Sequence, residues 1–465
     1  MPVTDTTSAP TAAHLGPPTT PREVVERYAR PGPRYTSYPT APHFSADPAL
    51  HGDVIAAWAD ARAPLALYAH VPYCEKRCLY CGCHVQIARN RALGTTYVDD
   101  LLVELDLVST LTNLSRPLEL VAFGGGTPTW LAPADLRRLI EGIRAATNPA
   151  SDAEWSIEVD PRSVDADYMK LLLDLGFNRF SFGVQDLKAD VMTAVGRKQG
   201  VEEVRAAVDA IGDLPFNLDL MYGLPKQTTE SVLETIDQAL ALGPNRIALF
   251  GYAHVPWMKK HQMGLERQGL PGDQERLSMA LTARAHLVKA GYVAIGIDHF
   301  ARPEDEMARA KANGVLHRNF MGYTVRPELD LVALGVSGIS QVAGTFTQND
   351  KDVATWKSAI ADGKPAWTRT LQSSDDDTLR GAVIMDLMCH FAIDKELIGR
   401  RFDIDFDEVF QTEKEALAPF IADGLVEETS KRLQLSELGE LVVRNVAMVY
   451  DARLGQTQAR YSRTI

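Results

Sequence analysis

One stretch of the sequence decides the fold, Leu65-Ala-Leu-Tyr-Ala-His-Val-Pro-Tyr-Cys-Glu-Lys-Arg-Cys-Leu-Tyr-Cys-Gly-Cys83. Its apolar beginning, Leu65–Val71, predicts a β-strand. Cys74, Cys78 and Cys81 follow with the spacing C-x-x-x-C-x-x-C. Thiolates are the ligands of iron–sulfur clusters. Three of them on one short loop can hold three corners of a [4Fe-4S] cluster and leave its fourth iron open.

An open iron can bind the amino and carboxylate groups of S-adenosylmethionine (SAM), which releases a 5′-deoxyadenosyl radical on reduction. The alternative for such a loop is a zinc site, but zinc sites favour paired C-x-x-C units with a second pair downstream. Cysteines of an exported disulfide protein would be spread out, whereas only Cys389 lies outside the cluster from Cys74 to Cys83. The extra Cys83 is either a buried small residue or a functional thiol.

Strand-like and helical segments alternate from about residue 65. The predicted strands are Leu65–Val71, Leu118–Phe123, Trp155–Val159, Arg179–Phe182, Phe216–Met221 and Ile247–Phe250. The predicted helices are Ala132–Ala146, Asp165–Leu175, Val201–Ile211 and Ser231–Leu242. Six alternations predict an α/β protein with parallel strands that form a barrel or part of one.

The carboxyl ends of such strands are where barrels bind ligands. The second strand ends in Gly124-Gly-Gly-Thr-Pro128, a turn that lets the backbone approach a ligand closely. Glu158, Gln185, Asp219 and Ala253 stand at or just past later strands. For each of these residues, a capping or core role is about as plausible as ligand contact.

The chain divides into four parts. We expect a disordered lead-in at 1–20, an N-terminal arm and helix at 21–60, the barrel at 61–370 and a helical cap domain at 371–465. Pro21–His43 shows little periodicity and predicts an extended arm. In the cap, helical patterns surround a hairpin-like Leu425–Leu435 in a winged-helix order; they are Asp376–His390, Phe406–Asp423 and Leu438–Tyr450.

Charge and composition exclude some functions. The 465 residues carry a formal net charge of −13, which argues against nucleic-acid or acidic-membrane partners. Glu437 and Glu440 occupy the position where a DNA-binding winged helix would carry basic residues. No apolar run reaches the ~18 residues of a membrane span, and no secretory signal is evident. We therefore expect a cytoplasmic protein.

Several motifs resemble those of the oxygen-independent coproporphyrinogen III oxidase family, from about Val24 onward. They are Tyr68-Ala-His-Val-Pro-Tyr-Cys74, Cys81-Gly-Cys83, Phe123-Gly-Gly-Gly-Thr-Pro-Thr129, Ile157-Glu-Val-Asp-Pro-Arg162, Gly183-Val-Gln-Asp186, Asp219-Leu-Met-Tyr-Gly-Leu-Pro-Lys-Gln227, Tyr252-Ala-His-Val-Pro256, Asp298-His-Phe-Ala-Arg-Pro303, Leu316-His-Arg-Asn-Phe320 and Tyr461-Ser-Arg463. The resemblance implies a partial (β/α)6 radical-SAM barrel with an N-terminal arm and a mainly helical C-terminal cap.

The resemblance also implies roles for individual residues. Cys74, Cys78 and Cys81 would bind the [4Fe-4S] cluster, and Cys83 matches a fourth cysteine that is associated with activity without being a ligand. The family holds two SAM molecules. The cluster-bound one would contact Tyr68, Gly125, Glu158 and Ile339. The second would be surrounded by Tyr80, Gly126, Thr127, Gln185, Arg197, Asp219 and Ala253, with Tyr80 standing where the family has Phe.

The implied reaction turns two propionates of coproporphyrinogen III into vinyl groups, with an electron donor and an acceptor that the sequence does not identify. We expect a monomer. Arginine binds carboxylates best, and the cationic candidates for the propionates are Arg34, Lys226, His299, Arg302, His317, Arg318 and Arg463. For any one of them a solvated or structural role is the more common outcome.

Two other functions fit parts of the sequence. The related haem chaperones share the cysteine loop and the glycine turn, but they typically have an aromatic residue in place of Cys83 and lack the arm Arg34–Thr40. A non-catalytic iron–sulfur or zinc scaffold would not explain the polar residues at the ends of successive strands. Both comparisons favour the oxidase.

Overall fold

The computed structural model describes residues 16–326, 328–457 and 460–461. Most of the predicted lead-in and the candidate Arg463 lie outside these residues. The strands in the described part are β1 Leu65–Val71, β2 Tyr73–Cys74, β3 Gln86–Ile87, β4 Pro117–Gly125, β5 Asn148–Val159, β6 Arg179–Gln185, β7 Phe216–Tyr222, β8 Arg246–Gly251, β9 Val293–Ile295, β10 His299–Ala301, β11 His317–Asn319, β12 Gly322–Thr324, β13 Asp330–Leu334, β14 Ile339–Val342, β15 Thr345–Asn349, β16 Trp367–Gln372, β17 Ala392–Asp394, β18 Val426–Glu428 and β19 Arg432–Leu435.

Most of the helices cover the sheet or form the C-terminal cap. They are α1 Pro21–Tyr28, α2 His51–Ala59, α3 Ala92–Leu111, α4 Pro133–Ala146, α5 Ala166–Asp174, α6 Ala189–Ala194, α7 Val201–Asp209, α8 Thr229–Leu240, α9 Met263–Glu266, α10 Asp273–Lys289, α11 Glu306–Ala312, α12 Val353–Ala361, α13 Asp375–His390, α14 Lys395–Phe402, α15 Phe406–Val409, α16 Gln411–Ala422, α17 Glu437–Glu440 and α18 Val443–Ala447. Within the described chain, none of them is long and apolar enough to span a membrane.

The six predicted strands are confirmed as neighbours in one parallel array, in the order β1-β4-β5-β6-β7-β8. The sheet continues past both ends of this array. Beside β1 lies the parallel strand β13, followed by antiparallel β14, β15 and β16. Beside β8 lie antiparallel β10 and β9. The sheet is therefore an open, partial barrel with antiparallel extensions that the alternating pattern did not predict.

Alternation along the strands places polar groups on the concave face. In β6, Phe180, Phe182 and Val184 are buried toward the helices, whereas Gln185 and its alternate neighbours face the other side. In β7 the same alternation puts Asp219 opposite the buried leucines. Successive side chains of a strand point to opposite faces. When the apolar residues pack against the helices, the polar side chains therefore point toward the interior of the barrel.

The N-terminal segment differs from the prediction of an extended arm over Pro21–His43. Its beginning is a helix, α1, which starts with a proline at the first helical position and a capping box between Thr20 and Glu23. Val24 is completely buried and packs with the hydrophobic core of the cap. The helix is two turns long, too short for its apolar periodicity to stand out, and its stability comes from that packing.

The C-terminal cap has a hairpin within a three-stranded sheet in the order β17-β19-β18, surrounded by helices. The predicted helix Phe406–Asp423 is interrupted at Phe410, and Leu438–Tyr450 is divided into α17, α18 and a 3-10 turn. Glu440 forms an ion pair with Arg284 of α10. This acidic residue therefore helps to dock the cap on the barrel.

Candidate active site

The cysteine loop leaves the carboxyl end of β1 and lies beside the glycine turn that follows β4. The thiol of Cys74 is 3.3 Å from the Thr127 hydroxyl. Cys78 is buried, Cys74 and Cys81 are half-buried, and Cys83 is exposed. The thiol of Cys83 donates a hydrogen bond to Cys81, and this bond lowers the pKa of Cys81 to about 6. Exposure rules out the interpretation of Cys83 as a buried small residue.

The glycine turn needs glycine because other backbone and rings approach it closely. Gly125 has a φ of +115°, and a Cβ there would lie 2.6 Å from the His70 ring. A Cβ on Gly126 would lie 2.8 Å from the backbone carbonyl group of Pro72. The Gly126 N–H donates to Val71 O at 2.7 Å. These contacts fix the glycine turn against the start of the cysteine loop.

His70 orients Tyr68, which lies two residues before it in β1. Burial lowers the pKa of His70 to about 4, so its ring is neutral near pH 7. With its proton on Nε2 it donates to His84 O at 3.2 Å, and Nδ1 then accepts from the Tyr68 hydroxyl at 3.1 Å. His70 therefore has a buried, hydrogen-bonded structural role, and it holds the tyrosine in place.

Two guanidinium groups lie near the sulfur of Cys78. Arg162 Nη2 and Arg197 Nη1 are each 3.8 Å from Cys78 Sγ. Asp160 orients both, because it accepts from Arg197 at 3.1 and 3.2 Å and from Arg162 Nε at 2.9 Å. Arg197 also donates to Gly183 O at the end of the neighbouring strand β6. The pair supplies positive charge where a thiolate would sit.

Two carboxylates face the barrel beyond the glycine turn. Glu158 accepts from the Gly125 N–H at 3.3 Å. Although its side chain is open to the barrel, the surrounding protein and the charge of Asp219 raise the pKa of Glu158 to about 7. Burial also raises the pKa of Asp219, which accepts from Asn217 at 2.8 Å and Ser181 at 3.2 Å. These carboxylates can accept from the amino or hydroxyl groups of a polar ligand.

The remaining predicted cofactor contacts lie at the same edge of the sheet. Gln185 ends β6 with a φ of +72°, and Ala253 follows β8. Ile339 begins β14, which runs antiparallel to β13 and so starts at the edge where β13 ends. Tyr80 belongs to the cysteine loop, and its hydroxyl donates to Cys78. The structure thus brings every predicted cofactor residue to the carboxyl edge of the parallel strands.

The sequence did not predict that a second loop, residues 259–262, forms hydrogen bonds with the backbone of the cysteine loop. Lys259 Nζ donates to Cys83 O at 2.9 Å, and His261 Nε2 lies 2.9 Å from Cys81 O. The completely buried Gln262 donates to Tyr80 O at 2.9 Å and to Ala253 O at 3.3 Å. These residues lie three to six positions after the Tyr252–Pro256 motif, but nothing in their own sequence indicates the contacts.

The candidates for substrate carboxylates are spread more widely. Arg34 lies 3.9 Å from Asp298 and lines a cavity at the ends of β7 and β8. Arg318 donates to the Tyr323 hydroxyl at 2.6 Å, and His317 lies on the same short strand, β11. His299 binds Asp298 at 2.6 Å, whereas Lys226 is exposed in a turn after β7.

Arg302 is at the wrong end of the barrel for a substrate contact. Its N–H donates to Asn245 O, just before β8 begins. The strand that precedes Arg302, β10, runs antiparallel to β8, and it therefore delivers Arg302 to the amino edge of the parallel strands. Its guanidinium instead contacts the Tyr292 hydroxyl at 3.4 Å.

Comparisons with known proteins agree with this geometry. Residues 68–239 match the family model of the radical SAM superfamily, and residues 374–442 match the HemN C-terminal domain. The chain is 41% identical to the oxygen-independent coproporphyrinogen III oxidase of Pseudomonas aeruginosa, over 95% of this chain and 98% of the relative. The corresponding Escherichia coli protein is 38% identical over 95% of this chain and 98% of its own length.

The chain belongs to the oxygen-independent coproporphyrinogen III oxidase family. A solved structure of coproporphyrinogen III oxidase (HemN) from Escherichia coli, described as a radical SAM enzyme, superimposes with a TM-score of 0.87. The alignment covers 90% of this chain and 98% of that one, at 38% identity. The fold expected from the sequence is therefore confirmed, including the radical-SAM barrel and its helical C-terminal region.

The residues present fit the cofactors of this family. Three thiols lie on one short loop, and two arginines near Cys78 can balance the negative charge of a thiolate-bound cluster. In the described residues, no group of three or more His, Cys, Asp or Glu is arranged to hold a single metal ion. Thiolates that bind separate corners of a cluster need not converge on one point, so this finding is compatible with a [4Fe-4S] cluster.

Proposed function

We propose that this chain converts two propionates of coproporphyrinogen III into vinyl groups and so forms protoporphyrinogen IX without oxygen. The observation that carries the proposal is the similarity along nearly the whole chain to the oxidase of Pseudomonas aeruginosa, at 41% identity over 95% of this chain. The geometry supports it, because the cysteine loop, the glycine turn and the strand-end carboxylates meet at one edge of the barrel. The chain is a radical SAM oxidoreductase of haem biosynthesis.

We propose Cys74, Cys78 and Cys81 as the cluster ligands. When bound, the [4Fe-4S] cluster and SAM supply a 5′-deoxyadenosyl radical. The low pKa of Cys81 favours its ligating thiolate form. Thr127 can donate to the sulfur of Cys74, and the arginine pair can do the same at Cys78. Hydrogen bonds to cluster sulfurs tune the reduction potential.

Two SAM molecules would be held by two groups of residues along the strand ends. We propose that Tyr68, Gly125, Glu158 and Ile339 contact the cluster-bound molecule. The second molecule would be held by Tyr80, Gly126, Thr127, Gln185, Arg197, Asp219 and Ala253. Equilibrium dialysis with labelled SAM should give two molecules per chain. Asp219→Asn should reduce the second equivalent and leave the first.

Each propionate must lose CO₂, one hydrogen atom and one electron to become a vinyl group. Hydrogen-atom abstraction from the β-carbon needs that carbon fixed close to the radical source and kept from water. Cys83 is exposed and lies near Glu158 and Cys81. We propose that it acts on the substrate there and is not a cluster ligand.

We further propose that the chain acts as a cytoplasmic monomer with an electron donor and an acceptor still to be identified. All five cysteines are free thiols, as expected for a reducing compartment. We propose the functional division 1–20, 21–60, 61–370 and 371–465, and the matched ranges 68–239 and 374–442 lie within the last two parts. Light scattering of the cluster-loaded protein tests the oligomeric state.

The test of function is anaerobic turnover. The protein is reconstituted with iron and sulfide and supplied with SAM, a reductant, coproporphyrinogen III and cell extract as the source of an electron acceptor. We expect protoporphyrinogen IX together with 5′-deoxyadenosine, both detected by mass spectrometry. A protein with a full cluster that forms neither product under these conditions, and instead binds haem tightly, would be a haem chaperone.

A further inference from the structure

A cavity of about 350 Å³ opens at the carboxyl ends of β7 and β8. Its walls come from parts of the chain far apart in sequence, including Arg34 in the N-terminal segment, Arg276 of α10 and Arg444 of α18. The cavity is next to the cofactor site, because Ala253 lies in its wall. The Gln262 side chain donates hydrogen bonds both to Ala253 O and to Tyr80 O of the cysteine loop. None of the three arginines of the cavity belongs to the cofactor site described above.

The charge of this cavity differs from that of the whole chain. Three guanidinium groups line it, whereas the chain carries a formal net charge of −13. The lining also includes Asp273 and Asp298. Asp298 lies 2.6 Å from His299 Nδ1 and 3.9 Å from Arg34, so it offsets only part of the positive charge of the three arginines.

Arg444 is the most deeply placed of the three arginines. Only 5% of its surface is exposed, and its guanidinium donates to Gly32 O at 2.6 Å and Pro33 O at 2.9 Å. Burial and the nearby Arg34 and Arg318 lower the pKa of Arg444 to about 9. A bound anion stabilises positive charges that lie this close together. The hydrogen bonds to the two backbone carbonyls hold the Arg444 guanidinium in place.

Aromatic residues accompany the positive charge. Tyr222 and Tyr252 line the cavity together with Trp257, whose exposed fraction is 51%. The adjacent Met258 is 67% exposed. Exposed apolar side chains at the mouth of a cationic cavity suit a ligand with an apolar body and anionic arms.

We propose that Arg34, Arg276 and Arg444 form a carboxylate pocket that holds a propionate arm of the tetrapyrrole substrate. Guanidinium groups chelate carboxylates through paired hydrogen bonds. The volume is at the lower end of the range of ligand pockets, about 300–1,000 Å³, and fits one arm with its pyrrole ring rather than the macrocycle. This inference rests on the proposed function, since it assumes a tetrapyrrole as the ligand.

The test measures the binding of oxidised coproporphyrin III, a fluorescent tetracarboxylate, to the reconstituted protein. Arg34→Gln removes a partly exposed charge with little effect on packing, and Arg276→Gln is the second variant. Arg302→Gln is the matched control, because Arg302 lies at the opposite edge of the barrel. Each cavity variant should weaken binding about 10-fold, and the control should bind like the wild type.

Two further measurements identify the ligand group. Coproporphyrin tetramethyl ester lacks the free carboxylates, so the cavity variants should bind it as the wild type does. SAM affinity and iron content should also stay unchanged in both variants. Loss of SAM affinity instead of porphyrin affinity would overturn the inference, because the pocket would then hold the carboxylate of SAM.

The remaining outcomes separate the two proposals. If the wild type binds coproporphyrin and both cavity variants bind it equally well, the pocket is not a propionate site, while the proposed function stands. If the wild type neither binds coproporphyrin nor converts coproporphyrinogen, the proposed function itself fails, and the inference fails with it.

Discussion

Gln262 donates a hydrogen bond to the backbone oxygen of Tyr80 at 2.9 Å, across 182 positions of sequence. The same amide group donates to Ala253 O, and its oxygen accepts from the Val255 N–H at 2.7 Å. One buried side chain thereby joins the cysteine loop to the segment after β8. This contact fixes the position of two parts of the proposed cofactor site relative to each other. One part follows the first strand of the parallel array, β1, and the other follows the last, β8.

Gln262→Leu should loosen that connection while preserving most of the side-chain volume. The variant leaves buried backbone carbonyls without their donor, which costs about 1–3 kcal/mol. We expect SAM to bind about 10-fold more weakly and the reduced cluster to give a broadened electron paramagnetic resonance signal. Gln268→Leu, at an exposed position nearby, is the control. Unchanged SAM affinity and an unchanged signal in Gln262→Leu would contradict the role of this contact.

Cys83→Ser should retain the cluster and lose turnover. The exposed thiol lies outside the predicted ligand set, so iron content and the charge-transfer absorption should match the wild type. Formation of protoporphyrinogen IX should fall at least about 100-fold, the scale at which a positioned catalytic group acts. Cys81→Ser is the matched comparison and should lose iron. Loss of iron in Cys83→Ser as well would make Cys83 a ligand.

Gly126→Ala should disturb the contact between the glycine turn and the cysteine loop. The added Cβ would lie 2.8 Å from the backbone of Pro72 and Tyr73, which cannot move aside like the end of a side chain. We expect a loss of about 1–3 kcal/mol in the free energy of unfolding, together with lower cluster occupancy. Gly52→Ala, where a Cβ meets nothing within 4 Å, should have neither effect. Equal stability of both variants would show that the turn can adjust.

Glu104 should make stability depend on pH. It is a buried residue of α3 and accepts from Gly335 N, Asn349 Nδ2 and Trp356 Nε1 at 2.6–3.0 Å. Burial raises its pKa from 4.5 to about 7. The folded chain therefore binds this proton more tightly than the unfolded chain does. The contribution of Glu104 to the free energy of unfolding is fully present below pH 4.5 and is lost as the pH rises through about 7.

Glu104→Gln does not titrate and removes this contribution. The free energy of unfolding of the wild type, relative to that of the variant, should fall by about 1–3 kcal/mol between pH 5 and pH 8. Anaerobic urea unfolding of the cluster-loaded proteins measures the difference. Glu141→Gln, on the exposed face of α4, should show no such change relative to the wild type. A constant difference between wild type and Glu104→Gln would mean that Glu104 has an ordinary pKa.

The sequence predicted the parallel strands and the residues at their ends because both depend on local patterns. Leu65–Val71 is recognisable from its own residues, and its connection to Cys74 needs only three more positions. The contacts of Lys259, His261 and Gln262 could not be predicted in this way, since they depend on tertiary folding. Arg302 was misjudged as a substrate candidate because its strand runs antiparallel, and strand direction decides which edge receives the residue that follows.

The flanking strands were missed for a related reason. β13 joins β1 in parallel after a long stretch of sequence, and β14 and β15 follow it as antiparallel strands without the intervening helices that indicate a barrel. The helix α1 is short and depends on burial of Val24 against the cap for its stability. In each case the decisive interaction joins segments remote in sequence.

The most direct test of the account follows one hydrogen atom. Coproporphyrinogen III carrying deuterium at the propionate β-carbons is supplied anaerobically with SAM, reductant and cell extract, and both products are analysed by mass spectrometry. The account predicts deuterium in 5′-deoxyadenosine alongside the vinyl product, and neither product with Cys74→Ala. Vinyl product formed without deuterium in 5′-deoxyadenosine, or formed equally by Cys74→Ala, would contradict radical chemistry at this site.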